Sequence, residues 1–405
     1  MRYSVSDELR LSAIPAQPYA GAVPALSPHV LAVPASGIRR IFEVALALDD
    51  VTLLAVGEPD VPVAPHILAA AAAAWTADET GYTANAGMPE LRRAFVDRFA
   101  ADHGALLEAE RVCVTVGGTQ ALHQALGLIL GPGDEVLIPD PGYSTFSMSP
   151  RMLSAVPVPY ALREEAAFLP EVERLEPLVT ERTRAIIVNS PSNPLGTVLD
   201  EPRARALLEF ARRHDLWVIS DEVYSELTFD APHVSLVALD TAETGGERVL
   251  GVFSTSKTYA MTGARVGFLV APAEWAPHLR TVQEAMISCV DAPAQRAAIA
   301  ALRGEQDHVA AAREHYRANL AAATALLEER GIAFLRPAGA LYLWIDMRHA
   351  TGGDVAAWAE AFLRESLVAV APGSAFGESG EGWIRVCVAA SRADLLHGLA
   401  LLPAP

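Results

Sequence analysis

A lysine, an aspartate and an asparagine-rich turn each stand just beyond an apolar run of this chain, and their types outline imine chemistry. Lys257 closes Ser254-Thr255-Ser256-Lys257 after the run Val249 to Phe253, with Gly263, Arg265 and Gly267 following. Asp221-Glu222 ends the run Leu216 to Ile219, and Tyr224 lies just beyond. The turn Asn189-Ser190-Pro191-Ser192-Asn193-Pro194-Leu195-Gly196-Thr197 follows the run Ala185 to Val188. Open α/β sheets bind ligands outside the carboxyl ends of their strands, so three such polar edges converge on one site. Lys257 can there form a Schiff base with an aldehyde. Asp221 can pair with a protonated pyridine nitrogen and make that ring an electron sink. Asn193 and Tyr224 can hydrogen-bond a ring hydroxylate. Gly117-Gly118-Thr119-Gln120 opens a helix whose N–H groups and dipole suit a phosphate. Ser254 and Arg265 add a hydroxyl donor and a forked cation to it.

The elements that must hold these groups follow from hydrophobic periodicity. Val112 to Val116 reads as a strand, and Ala121, Leu122, Ala125, Leu126 and Ile129 mark the apolar face of the helix after it. Glu135 to Ile138, Ala185 to Val188, Leu216 to Ile219, Val249 to Phe253 and Val266 to Val270 are further strands, and Glu201 to His214 is a helix between two of them. Near-continuous apolar strands joined by helices predict a three-layer α/β/α domain around a mostly parallel sheet. After about Arg303 a long helical stretch with Ala312, Tyr316, Leu320 and Leu327 leads to Gly331. Shorter strands then follow at Leu341 to Ile345, Leu367 to Val370 and Trp383 to Val388, the pattern of a smaller α+β domain. A helix also starts at Ser36-Gly37-Ile38-Arg39. The expected division is residues 1–60 contributing to the small domain, 61–302 forming the large one and 303–405 the small one.

The order and spacing of these segments resemble the fold-type I, class I/II aminotransferases over nearly the whole chain from about Ser36. Besides the segments above, the likeness rests on Gly57-Glu58-Pro59-Asp60, Tyr82-Thr83-Ala84-Asn85-Ala86-Gly87, Asp140-Pro141-Gly142-Tyr143, Asp221-Glu222-Val223-Tyr224 and Arg385. The resemblance implies pyridoxal 5'-phosphate as cofactor, with Gly118, Thr119, Gln120, Ser254, Ser256 and Arg265 toward its phosphate and Tyr143 stacked on its ring. It implies that Arg385 clamps the substrate α-carboxylate, with Asn193 and Gly37 near the bound substrate. Tyr82 is implied to reach the phosphate of a neighbouring subunit, hence a homodimer with shared sites. The reaction implied is transfer of an amino group between an L-amino acid and a 2-oxo acid.

Bulk properties bound the alternatives. The chain has 405 residues, is 51% hydrophobic and carries a formal net charge of -18, which disfavours nucleic acid or an anionic membrane as main partner. Cys113, Cys289 and Cys387 are far apart in apolar surroundings and read as free thiols of a reducing compartment. Met1 to Leu11 lacks an apolar signal core and the alanine run Ala69 to Ala74 is too short to span a bilayer, so a cytoplasmic protein is expected. The 11 histidines show no metal spacing, and no metal is expected. Thr119 stands where aspartate-preferring members often carry Lys, which weakens a dicarboxylate assignment. Asp291 reads as a helix-surface residue or, by resemblance, as a carboxylate toward the partner's pocket, and Leu341 and Tyr342 as pocket walls. The same residues serve lyases, decarboxylases and cyclases on this scaffold. A PLP-binding regulator needs a DNA-binding segment, and Met1 to Pro34 is too short and proline-rich for one.

Overall fold

The computed structural model describes residues 25–405, so the readings on Met1 to Leu11 lie outside it. Ser36 caps the helix Gly37–Leu46 by accepting from the Arg39 N–H, and the short strand β1 (Thr52–Leu53) follows. The helices Pro65–Thr76 and Pro89–His103 then lead into the large sheet. Its strands are β2 (Val112–Thr115), β3 (Glu135–Asp140), β4 (Val156–Ala161), β5 (Thr183–Asn189), β6 (Trp217–Asp221), β7 (Val249–Ser254) and β8 (Gly267–Val270). Their order is β2-β8-β7-β6-β5-β3-β4, and β8 runs antiparallel to both neighbours while the remaining pairs are parallel.

Why these runs lack an alternating pattern is visible in the packing. Ala185 and Ile187 face one apolar cluster with the helix Gly117–Ile129, while Ile186 and Val188 face the other. Both faces of the sheet are covered, so both sets of side chains must be apolar. The strand β4 carried no such signal. Its Val-Pro-Val-Pro-Tyr-Ala sequence places two residues without N–H donors in a row of six, which only an edge strand tolerates.

The second body begins with the helix Asp307–Glu329. β9 (Phe334–Leu335), β10 (Tyr342–Asp346), β11 (Val368–Ala369), β12 (Ala371–Pro372) and β13 (Trp383–Cys387) follow, with the helix Val355–Ser366 before β11 and Arg392–Ala400 at the end. An antiparallel sheet has the order β12-β13-β10-β9. The stretch expected as a strand from Leu367 to Val370 shortens to β11, since Leu367 takes a left-handed φ of 57° as the cap of the preceding helix, and β12 starts beyond it at Ala371. β1 pairs in parallel with β11, and Arg40 hydrogen-bonds Glu360, so the early segment is tied to the late one.

Strand register brings the polar edges together. Asn189 pairs with Asp221, Asp221 with Val252, Ser254 with Gly267 and Gly267 with Thr115. The ends of β5, β6 and β7 and the start of the helix after β2 therefore share one edge of the sheet. β13 sets Arg385 opposite Trp344 of β10 on one side and Ala371 of β12 on the other.

Candidate active site

A cavity of about 320 Å³ opens at that edge, against the four-stranded sheet. Gly118, Thr119, Tyr143, Asn193, Asp221, Tyr224, Ser254, Ser256, Lys257, Arg265 and Arg385 line it, together with Gly57, Asn189, Val223 and Tyr342. Of the residues expected at the site, four do not line it, and Leu341 is one, fully buried beside Tyr342. Gln120 turns back, accepting from the Val116 N–H and donating to Gln283 Oε1 at 3.0 Å. Gly37 packs on Ala375, which a Cβ would meet at 2.8 Å, and it is the next residue, Ile38, that lines the cavity. Tyr82 is 92% exposed and touches none of this.

One end of the cavity is built for a dianion. The helix Gly117–Ile129 has no side-chain cap, so its first N–H groups are without intrahelical partners. Gly117 takes a φ of +71°, and a Cβ there would run into the Arg265 guanidinium; glycine lets backbone and cation approach the same point. Arg265 is itself left-handed at φ 55°, with Nη1 donating to the Thr262 carbonyl at 2.9 Å. A non-glycine residue held there is strain of the kind that accompanies functional sites. Ser254 caps the short helix Thr255–Thr258, accepting from the Ser256 N–H and lying 2.9 Å from the Ser256 hydroxyl.

At the other end lie charges without counter-ions. Asp221 is 6% exposed, and its carboxylate accepts one long bond of 3.3 Å from the Val223 N–H. Burial pushes its carboxyl up to about 7. Lys257 Nζ donates to the Gly57 carbonyl at 2.6 Å, and burial lowers its ammonium to about 8. Arg385 is 2% exposed; Nη1 donates to Asn193 Oδ1 at 2.8 Å, Nη2 to the Ala55 carbonyl, and Nε has no partner among the described residues. Its guanidinium carbon lies 4.3 Å from the Tyr342 ring centroid and 4.8 Å from that of Phe376. A guanidinium desolvated in this way needs an incoming anion. Tyr224 and Tyr342 share a hydroxyl–hydroxyl bond of 2.7 Å, and burial holds the Tyr224 phenol well above its ordinary range.

The sequence of the family described as aminotransferase class I and II matches residues 49–401. The chain belongs to that family. It is 34% identical to an aspartate aminotransferase of Pyrococcus horikoshii, over 92% of this chain and 95% of that protein. It is 37% identical to an arginine–pyruvate transaminase of Pseudomonas aeruginosa, over 84% of this chain and 85% of the relative. The solved structure of Thermus thermophilus aspartate aminotransferase with maleate superposes with a TM-score of 0.88 at 33% identity, covering 93% and 98% of the two chains. The protein is accordingly a pyridoxal-phosphate-dependent aminotransferase, with the three-layer α/β/α domain and smaller α+β domain of fold type I.

The cavity fits that cofactor on its own terms. Asp221 lacks a cation, which a protonated ring nitrogen would supply; the helix N-terminus, Ser254, Ser256 and Arg265 lack an anion, which a phosphate would supply. Sequence reading left other contributors without roles. Gly57 belongs to the Gly57-Glu58-Pro59-Asp60 segment, but no residue type marks its carbonyl as the acceptor for Lys257. Asn189 donates to the Asp221 carbonyl at 3.0 Å and accepts from the Asn193 N–H at 2.7 Å, fixing the turn against the strand end. Phe376 stacks on Arg385 from a chain segment with no chemical signal. Asp291 caps the helix Ala292–Arg303 through the Ala294 N–H at 2.7 Å. Among the described residues no group of three or more His, Cys, Asp or Glu is arranged for a metal ion.

Proposed function

We propose that the Lys257 cavity is the catalytic centre of this aminotransferase, and that Lys257 is both the residue that links to the cofactor and the base that moves the substrate Cα proton. Bound there, pyridoxal phosphate supplies the aldehyde that takes up an amine and the ring that accepts the electron pair left on Cα. The observation that carries the reading is the joint presence of Lys257 Nζ and an un-neutralised Arg385 in one cavity of about 320 Å³. An α-amino acid carries the two groups these residues take: an amine for Lys257's linkage to exchange with, and a carboxylate for the Arg385 fork.

Asp221 would hold the ring nitrogen protonated, and Tyr224 and Asn193 would hydrogen-bond the ring hydroxyl oxygen. Gly118, Thr119, Ser254, Ser256 and Arg265 would hold the phosphate, and the half-buried Tyr143 would cover the ring. A lysine ammonium lowered to about 8 is partly free amine near neutrality, which suits a base that must accept and return a proton. Gln120 and Gly37 support the site through Val116 and Ala375 rather than from its wall. Residues 25–60 and 303–405 would move as one body against 61–302, given the β1–β11 pairing and the Arg40–Glu360 bond. Tyr82, together with exposed Leu68, Trp75 and Leu106, supports a homodimer in which Tyr82 reaches the partner's phosphate. No described helix is long and apolar enough to cross a membrane, and Cys113, Cys289 and Cys387 are unpaired, which is consistent with a cytoplasmic enzyme.

The test is an absorbance spectrum of the purified holoenzyme before and after single amino acids. The long-wavelength band should convert to the pyridoxamine-phosphate spectrum with a good donor and should be missing in Lys257→Ala. Release of ammonia or carbon dioxide with recovery of the band would replace transamination by elimination or decarboxylation. A band that survives Lys257→Ala would overturn the assignment of the lysine.

A further inference from the structure

Directly behind Asp221 lies a second buried acid that the chemistry above does not use. Glu222 is the next residue, but its side chain points away from the cavity, into the packing between the large sheet and the helix Pro89–His103. Its carboxylate is bound at 2.9 Å by His233 Nε2, and the two side chains are 1% and 2% exposed. Ser220 Oγ donates to Glu222 Oε1 at 2.8 Å, and the Val237 N–H reaches the same oxygen at 3.4 Å. The Glu222 N–H donates to the Val252 carbonyl at 2.9 Å, locking the end of β6 to β7. A cavity of about 50 Å³ touches Glu222, His103, Asp102, Arg98, Glu226 and Ser254, and Ser254 also lines the Lys257 cavity.

Packing alone does not call for a charge here. A buried ion pair is weak stabilisation, and apolar residues of similar volume would serve as well or better. The state of the pair follows from its hydrogen bonds. His233 Nδ1 is buried without a partner among the described residues. A neutral ring donating through Nε2 leaves only a lone pair there, whereas a protonated ring would bury a bare N–H, the costlier arrangement. The pair then carries one net negative charge, on Glu222. Burial works against that charge, but His233, through its hydrogen bond and its charge interaction, outweighs it with lesser help from His103 and Ser235, and brings the Glu222 carboxyl below its ordinary range. His103, T-shaped on His233 at 5.8 Å, is lowered to about 4 by burial and supplies no cation near neutrality. Arg98 is paired with Asp102 at 3.0 Å on the same helix, and Glu226, raised by burial, faces the group from the segment after β6.

We infer that Glu222, held ionised by Ser220 and by His233, is a positioning residue that maintains a fixed negative charge behind Asp221, so that the cofactor's ring nitrogen keeps its proton. This rests on the Lys257 cavity being the cofactor site. Like charge behind Asp221 raises the proton affinity of everything in front of it, and backbone bonds at Glu222 and Val223 keep the Asp221 carboxylate aimed across the cavity. His233 prevents the second carboxylate from taking the proton itself.

The experiment is a pH titration of the Lys257-dependent absorbance band in the holoenzyme, with kcat and KM measured alongside. Glu222→Gln keeps shape and hydrogen bonding but removes the charge. For charges roughly 10 Å apart at an effective dielectric of about 20, the midpoint should fall by on the order of one pH unit. The same change should lower kcat about tenfold and leave KM within about twofold, since no substrate contact is lost. Two further variants keep the test decisive if Glu222→Gln fails to fold. His233→Gln retains a donor to Glu222 and should keep the parental midpoint. His233→Leu strands the carboxylate, which then takes a proton, and should lower the midpoint as Glu222→Gln does. A midpoint unmoved in both Glu222→Gln and His233→Leu, or lowered equally by His233→Gln, would overturn the inference. Failure of the cofactor-site reading looks different: the band would then persist in Lys257→Ala.

Discussion

Replacing Arg385 by Met separates recognition of the α-carboxylate from everything else the cavity does. A guanidinium has five N–H donors. Asn193 Oδ1 engages one on Nη1 and the Ala55 carbonyl one on Nη2, while Nε–H has no partner among the described residues. A carboxylate binding in the fork therefore gains two charge-assisted bonds without displacing either protein contact, worth together about 3–5 kcal/mol. Methionine keeps apolar volume between the Tyr342 and Phe376 rings. The expected result is a loss of roughly 10²–10⁴-fold in kcat/KM for an amino acid. An amine of the same side chain but no carboxylate should change by less than about threefold. The assay is single-turnover conversion of the holoenzyme band with the matched amino acid and amine. A thermal melt is run alongside, because Asn193 Oδ1 and the Ala55 carbonyl each lose a donor at a cost of about 1–3 kcal/mol in stability. Equal losses for amino acid and amine would refute the reasoning, since stability and general disorder of the site affect both substrates alike.

Other consequences can be checked with the same protein. In the cofactor-free enzyme Asp221 has a folded-state value near 7 against 3.8 for the ordinary carboxyl, so the folded protein binds the extra proton between those values. Stability then falls as pH rises through that window, and the penalty is complete above about 7. Asp221→Asn should stabilise the apoenzyme at pH 8 by up to about 4 kcal/mol and leave it unchanged near pH 3, measured by denaturant unfolding. An equal effect at both pH values would show that charge is not the cause. Loading of the apoenzyme with pyridoxal phosphate needs the free amine of Lys257, so its rate should rise with a midpoint near 8 rather than near the ordinary lysine value. A rate still rising steeply above pH 9.5 would contradict this. Mixing Tyr82→Ala with Lys257→Ala protomers should restore a fraction of active sites if Tyr82 serves the neighbouring subunit; no recovery despite proven subunit exchange would place the sites within single chains.

Much of this was legible because the chemistry sits where secondary structure ends. Lys257, Asp221 and Asn193 follow apolar runs of strand length, and the carboxyl ends of parallel strands share an edge, so pattern alone brought them together. β4 escaped notice because alternating prolines erase the apolar signature that a strand covered on both faces must have. Phe376 and the Gly57 carbonyl escaped for another reason. They act through a ring face and a backbone atom, and no residue type announces either. Gln120 shows the reverse limit: spacing puts it in the turn that opens the helix, yet its side chain faces the strand end, a choice of rotamer that spacing does not encode. The Glu222–His233 pair joins residues eleven apart across a loop, and only the folded chain shows that one is the other's donor.

Arg385 stands on a strand of the small sheet and Lys257 just past a strand of the large one, bridged in the free protein by the Asn193 bond. The span between guanidinium and amine is therefore a gauge whose jaws stand on different sheets. If Arg385 takes the carboxylate and the substrate amine takes the place of Lys257 on the cofactor, an α-amino acid of fitting length spans the gap and draws the two sides to one setting. A β-amino acid, longer by a methylene between its amine and its carboxylate, meets the same jaws out of gauge. Discrimination of this kind needs no wall against the wrong molecule. It comes from the ligand acting as a spacer, so the enzyme should be most rigid with the substrates it converts best.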